Sequence, residues 1–97
     1  MPASFATVPT AHASRYLQQL CKHWAHKFEV SFTPEDGRIV LPENTITTLR
    51  ADATGLGVRL EAVDAPTLER MKGVVANHLD RFAFREAPLP FDWRDEG

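Results

Sequence analysis

Leu56-Gly57-Val58-Arg59-Leu60-Glu61-Ala62 decides the fold class, because no other stretch of the chain alternates so cleanly. Leu56, Val58, Leu60 and Ala62 fall on one side, and Arg59 and Glu61 on the other. A period of two marks a strand with one buried and one wet face. Working back from it, Thr54-Gly55 suits a tight hairpin, and Thr45 to Ala53 reads as a strand with Leu49, Ala51 and Ala53 inward. Pro42-Glu43-Asn44 and Pro34-Glu35-Asp36-Gly37 are turn chemistry, and Arg38 to Leu41 between them is a short strand. Phe28 to Thr33 alternates again, with Phe28, Val30 and Phe32 on one side and Glu29, Ser31 and Thr33 on the other. Short links between four such strands predict an antiparallel meander.

Helical spacing flanks this block on both sides. From Ala11 to about His26, residues Ala13, Tyr16, Leu17, Leu20, Cys21 and Trp24 recur three and four apart, with Thr10 as the expected N-cap. They span an arc of roughly 140°, with His12, Arg15, Gln19, His23 and His26 along one flank. After the sheet, Asp64 is the expected cap of a second helix, with Pro66 in its first turn. Val63 and Leu68 hold the positions of a hydrophobic staple. Leu68, Met71, Val75, Leu79 and Phe82 form its buried stripe, Gly73 would allow a close crossing, and the helix ends near Phe84. Met1 to Pro9 reads as an extended lead-in. The segment from Ala87 onward, interrupted by Pro88 and Pro90, reads as an irregular tail laying Leu89, Phe91 and Trp93 over a core edge.

The expected fold is therefore α+β: a single domain, a two-layer sandwich in the order α-β-β-β-β-α. Both helices lie on one face of a four-stranded antiparallel meander, and Glu29, Arg59 and Glu61 lie on the open face. The 97 residues suffice for one modest core. A net charge of −2 with mixed signs argues against a nucleic-acid module or a polybasic membrane anchor. No apolar run approaches the ~20 residues that span a bilayer. Residues 1–10 lack the basic and apolar blocks of a secretory signal. Cys21 is the sole cysteine, which excludes an internal disulfide and fits the cytoplasm.

Candidate chemistry gathers beside the two apolar stripes. His23 and His26 are three apart on a helix, so their rings can converge. His78 or Asp80 could join them from the second helix around a metal. The competing reading is a pair of solvated histidines and a half-buried His78, since no HExxH or CxxC pattern is present. Arg81 and Arg85 lie four apart, where they either favour the helix C-terminal dipole or hold an anion as a guanidinium pair. Cys21 reads as packing, Tyr16 and Trp24 as core or rim. Gly55-Leu56-Gly57 is not a phosphate loop, because it starts a strand rather than a helix.

Ala13-Ser-Arg-Tyr-Leu17, Gln19-Leu-Cys-Lys-His23 with His26, and Asn77-His-Leu-Asp-Arg-Phe-Ala-Phe-Arg-Glu86 with Trp93 resemble the signatures of a bacterial family, domain of unknown function 2218. The likeness runs from about Thr10 to Arg94. It carries no assigned activity. Some members of that family are fused to, or sit beside, siderophore-interacting flavin reductases, so the resemblance implies a link to iron acquisition. The expectation is an accessory or ligand-binding protein rather than an enzyme. It would recognise an anionic or iron-chelating small molecule, or a flavin reductase, through His23, His26, His78, Arg81 and Arg85. No cofactor is evident in the sequence. The alternatives are a metal-binding protein or small enzyme using the histidines, and a structural module that forms a homodimer through its open sheet face.

Overall fold

The computed structural model describes residues 2–96. The alternating stretch forms β5 (Gly55–Glu61), with Leu56, Val58 and Leu60 buried and Arg59 and Glu61 on the other face. It is preceded by β2 (Glu29–Phe32), β3 (Asp36–Leu41) and β4 (Thr45–Ala51), each pairing antiparallel with the next. The meander is present, but the sheet is larger than the sequence suggests. Ala3–Pro9 is a full strand, β1, registered antiparallel on β5 from Ala3↔Glu61 to Pro9↔Gly55. A two-residue strand, β6 (Arg94–Asp95), pairs with its outer edge. The order across the sheet is β2-β3-β4-β5-β1-β6. The element order is thus β-α-β-β-β-β-α-β rather than α-β-β-β-β-α.

The lead-in hides its strand because the polarity of its Ser4-Phe5 pair is inverted. Ser4 occupies a buried position and Phe5 an exposed one. Ser4 is tolerated inside because its hydroxyl donates to the Asp95 carboxylate, 91 residues away in sequence.

Helix α1 (Ala13–Trp24) buries all six residues of its predicted stripe. It starts at Ala13 rather than Ala11, and His12 rather than Thr10 holds the cap position. The Thr10 hydroxyl instead accepts the His12 N–H at 3.1 Å within the preceding turn. Helix α2 (Ala65–Phe82) is capped as expected, Asp64 accepting the Thr67 N–H at 2.9 Å. The Thr67 side chain and then its backbone N–H favour the ionised form and hold the Asp64 carboxyl below its usual range. Leu68, Met71, Val75 and Leu79 are buried, but Val63 is too exposed to act as a full staple. Both helices pack on β4 and β5 and against each other, so they share one face of the sheet.

Several local expectations change. Gly37 is not a turn residue but part of β3, under α1. A Cβ there would meet Cys21 Sγ at 2.9 Å and Leu17 Cδ2 at 3.4 Å. The glycine that permits a close crossing is therefore Gly37. Gly73 faces open space. Glu43 and Asn44 adopt φ of 61° and 57° in the β3–β4 turn, where neither is β-branched and Asn in particular tolerates the left-handed region. Ala53 lies exposed in the next turn, organised by Asp52, whose Oδ1 accepts from Thr54 and from the Gly55 N–H. The inward positions at the start of β4 are filled by Thr45 and Thr47. Phe32 ends an edge strand and is 36% exposed.

The tail does cover a core edge. Leu89 is buried, with its N–H held at 2.9 Å by Asp80 Oδ1, and Phe91 and Trp93 pack partly against the core. Their rings stack at 5.5 Å, and Lys72 Nζ lies 5.8 Å from the Trp93 ring. Lys72 also binds Glu69 and Asp95, at 2.7 and 3.2 Å. Burial disfavours its charge, but the two carboxylates outweigh this and raise its pKa.

Candidate functional site

Along α1, the polar flank of the stripe turns toward the C-terminal end of α2. The chain after α2 does not continue as helix. Residues 83–86 form a turn in which the Glu86 N–H bonds the Ala83 carbonyl at 2.8 Å. Arg85 therefore lies beyond the helix, and it does not share the helical flank of Arg81 predicted from their spacing. The turn and the start of α1 enclose a cleft of about 430 Å3, lined by His12, Arg15, Tyr16 and Gln19 on one side and by Phe82 to Glu86 on the other.

Glu86 fixes this geometry. Its carboxylate accepts from Thr10 Oγ1 at 3.0 Å on both oxygens and from the Tyr16 hydroxyl. The bond from Tyr16 holds the Glu86 pKa down. Loss of water opposes this, while the Thr10 bond and the His12 charge add to it. Tyr16 is shifted the other way, upward, first by burial and then by the bond and charge of Glu86. At neutral pH the pair is therefore a neutral phenol donating to a carboxylate. Neither group is tuned to transfer a proton near neutrality.

Arg15 and Arg85 line the same cleft and form no ion pair among the described residues. Arg85 lies 5.6 Å from the ring of Phe84, which is 71% exposed. His12 meets Tyr16 edge to face at 6.1 Å. Two guanidinium groups, several aromatic rings and one carboxylate already occupied by donors make a surface suited to an anion.

One turn further along α1, the histidines do come together. The His23 ring lies 5.5 Å from His78, 6.5 Å from His26 and 5.7 Å from Phe82. His78 also packs on Trp24 at 4.9 Å. Its Nδ1 is 2.7 Å from the Val74 carbonyl, which can only accept, so Nδ1 carries a proton. The His23 pKa is lowered by partial desolvation, then by the positive charges of His78, His26, Lys27 and Arg81. Among the described residues no group of three or more His, Cys, Asp or Glu is placed to hold a metal ion. Asp80 is engaged by the tail instead.

Of the residues singled out from sequence, His23 thus adjoins both His26 and His78, and Arg81 lies close enough to bear on His23. Arg85 sits in the cleft itself. Sequence reasoning missed Arg15, Glu86, Thr10 and Phe84 as site residues; Tyr16, read as core or rim, is buried and also lines the cleft. The one available signal was a Phe-Arg-Glu run just past a helix end, where each side chain takes its own direction. Cys21 is buried against Gly37, and burial pushes its thiol up to about 11, as expected of a packing residue. No described helix is long and apolar enough to cross a membrane.

Comparison with known proteins agrees with this architecture. The NMR structure of PA4090 from Pseudomonas aeruginosa is similar, with a TM-score of 0.76 and 36% sequence identity, over 99% of this chain and 96% of that one. No curated protein sequence matches. The profile of the bacterial family DUF2218, described as an uncharacterized protein conserved in bacteria, matches residues 5–94, which include both helices and the cleft between them. The chain belongs to that family.

Proposed function

We propose that this protein is a small binding domain that takes an anionic small molecule in the α1–α2 cleft. One observation carries the reading: Arg15 and Arg85 line a cleft of about 430 Å3 with no ion pair of their own among the described residues. The volume falls within the range of small-molecule sites. Glu86 keeps its negative charge, but its oxygens are engaged by Thr10 and Tyr16 and it forms no ion pair with either arginine, so two cations face one anion in the cleft. His23 and Arg81 extend the polar strip past Phe82 and supply further donors. Negatively charged iron chelates belong to the same ligand class, and the implied association with siderophore reductases makes them the first to try.

The test is a thermal-shift screen at low ionic strength with carboxylates, inorganic phosphate and ferric citrate. A ligand that binds the native state raises the melting temperature by mass action. The expected result is at least one anion whose shift disappears in Arg15→Ala and Arg85→Ala. A panel with no shift, or shifts that survive both substitutions, overturns the proposal.

A further inference from the structure

The aromatic side of the cleft says what kind of anion it takes. Phe84 is 71% exposed yet lines the cleft, so the hydrophobic core does not account for it. Nor is it a loose side chain on a free end. Its turn is closed by the Glu86 N–H on the Ala83 carbonyl at 2.8 Å and by the Ala83 N–H on Leu79 at 2.9 Å. The Glu86 side chain then clamps the turn to Thr10 and Tyr16. A large ring is thus held in water at the mouth of a basic cleft, with the Arg85 guanidinium 5.6 Å from its centroid. Phe82 supplies a second ring on the same wall, and Tyr16 one on the opposite wall.

Resting on the anion-binding reading above, we infer that the ligand is a planar aromatic carboxylate. Its carboxylate pairs with Arg15 and Arg85, and its ring packs against Phe84 and Phe82. The reasons are chemical. A guanidinium fork matches a carboxylate through two parallel N–H bonds. Aromatic rings gain more from a second flat π-system than from a puckered ring of the same size. An aliphatic acid or a phosphate would use the arginines and leave Phe84 in solvent. Gln19 and His12, on the opposite wall, offer hydrogen bonds to ring substituents without adding a fixed negative charge.

The experiment is calorimetric titration of the full chain with benzoate, 2-naphthoate, cyclohexanecarboxylate, acetate and phosphate at low ionic strength. The expected result is that benzoate binds roughly three- to tenfold tighter than cyclohexanecarboxylate, with 2-naphthoate tighter again. Phe84→Leu should weaken benzoate and 2-naphthoate more than cyclohexanecarboxylate and so remove most of this preference. Because Phe84 is largely exposed, that variant should keep the parent melting temperature. Arg85→Ala should weaken every carboxylate alike. If cyclohexanecarboxylate or phosphate binds as well as benzoate, or Phe84→Leu keeps the preference, the aromatic inference is overturned and the anion reading survives. Failure of all five to bind overturns this inference. If the wider anion screen is also silent, the reading beneath it falls too.

Discussion

The Tyr16 hydroxyl donates a hydrogen bond to the Glu86 carboxylate, tying the first turns of α1 to the turn that follows α2. The two residues are 70 apart in sequence, and their bond shapes the candidate cleft. Tyr16→Phe keeps the ring and removes the donor, leaving Glu86 with Thr10 alone. The expected loss in urea denaturation is about 1 kcal/mol, the modest end for a bond to a charged acceptor that is itself wet. The pH dependence has two limits. The Glu86 pKa is depressed, so its contribution is present above the ordinary value of 4.5 and is lost as pH falls through the folded value. The Tyr16 pKa is raised, so stability falls as pH rises above the ordinary 10.0 toward the folded value. The difference between parent and variant should therefore be largest between these limits and shrink on either side. A difference that is flat with pH would show that the bond does not couple to folding.

Gly37 and Cys21 give a second, independent prediction. Gly37→Ala would place a methyl 2.9 Å from the Cys21 sulfur at the α1–β3 contact. The expected cost is about 1–3 kcal/mol from overpacking. Cys21→Ala should relieve part of it. The loss in the double variant should then fall short of the sum of the single losses by about 1 kcal/mol, the mark of two residues in direct contact. The same burial, with a thiol pKa pushed to about 11, predicts no reaction with a disulfide reagent in the native protein and one equivalent after denaturation.

How much of this was visible in the sequence depends on how far apart the partners lie. The α1 stripe and the β5 alternation are local patterns, and the structure reproduces both residue for residue. β1 was hidden because its inward residue Ser4 is polar and its outward residue Phe5 is apolar, a reversal that only the distant Asp95 makes tolerable. Gly37 was misread because Pro34-Glu35-Asp36-Gly37 is good turn chemistry, while the demand for a missing Cβ comes from α1. The flanks of both helices were legible as polar strips, so the meeting of His23 with His78 was anticipated. The cleft itself was not. It depends on where the chain turns after Phe82 and on Glu86 reaching Tyr16, and no spacing rule encodes either.

Thr47 carries a prediction of the opposite sign. It is fully buried on β4, between Ile39 and Leu60 in register, and its hydroxyl has no hydrogen-bond partner among the described residues. Thr47→Val replaces that hydroxyl with a methyl of similar shape. The expected outcome is a gain of about 1 kcal/mol, because the desolvated hydroxyl no longer has to be left unpaired. A loss in chemical denaturation would mean that a buried water serves Thr47 and is expelled by the substitution.

The tail offers the last test, because its anchoring mixes apolar and charged contacts that can be separated. Leu89 is the buried plug, and Leu89→Ala should cost about 2 kcal/mol, the low end for a leucine at the margin of a core. Asp95 is the polar pin. Its carboxyl is held below the usual 3.8 by the Ser4 hydroxyl and then by Lys72. A depressed carboxyl pKa contributes above the ordinary value and is lost as pH falls through the folded one. Acid should therefore loosen β6 through Asp95, while Leu89→Ala loosens the tail at any pH. The indole N–H resonance of Trp93, which lies beside Lys72, reports on both. It should move in Leu89→Ala at neutral pH, and in the parent only below about pH 4. The backbone N–H resonance of Leu49, buried in β4, should stay in place until the whole domain unfolds. If the two resonances shift together at every step, the tail is part of the cooperative core rather than a separately released strap.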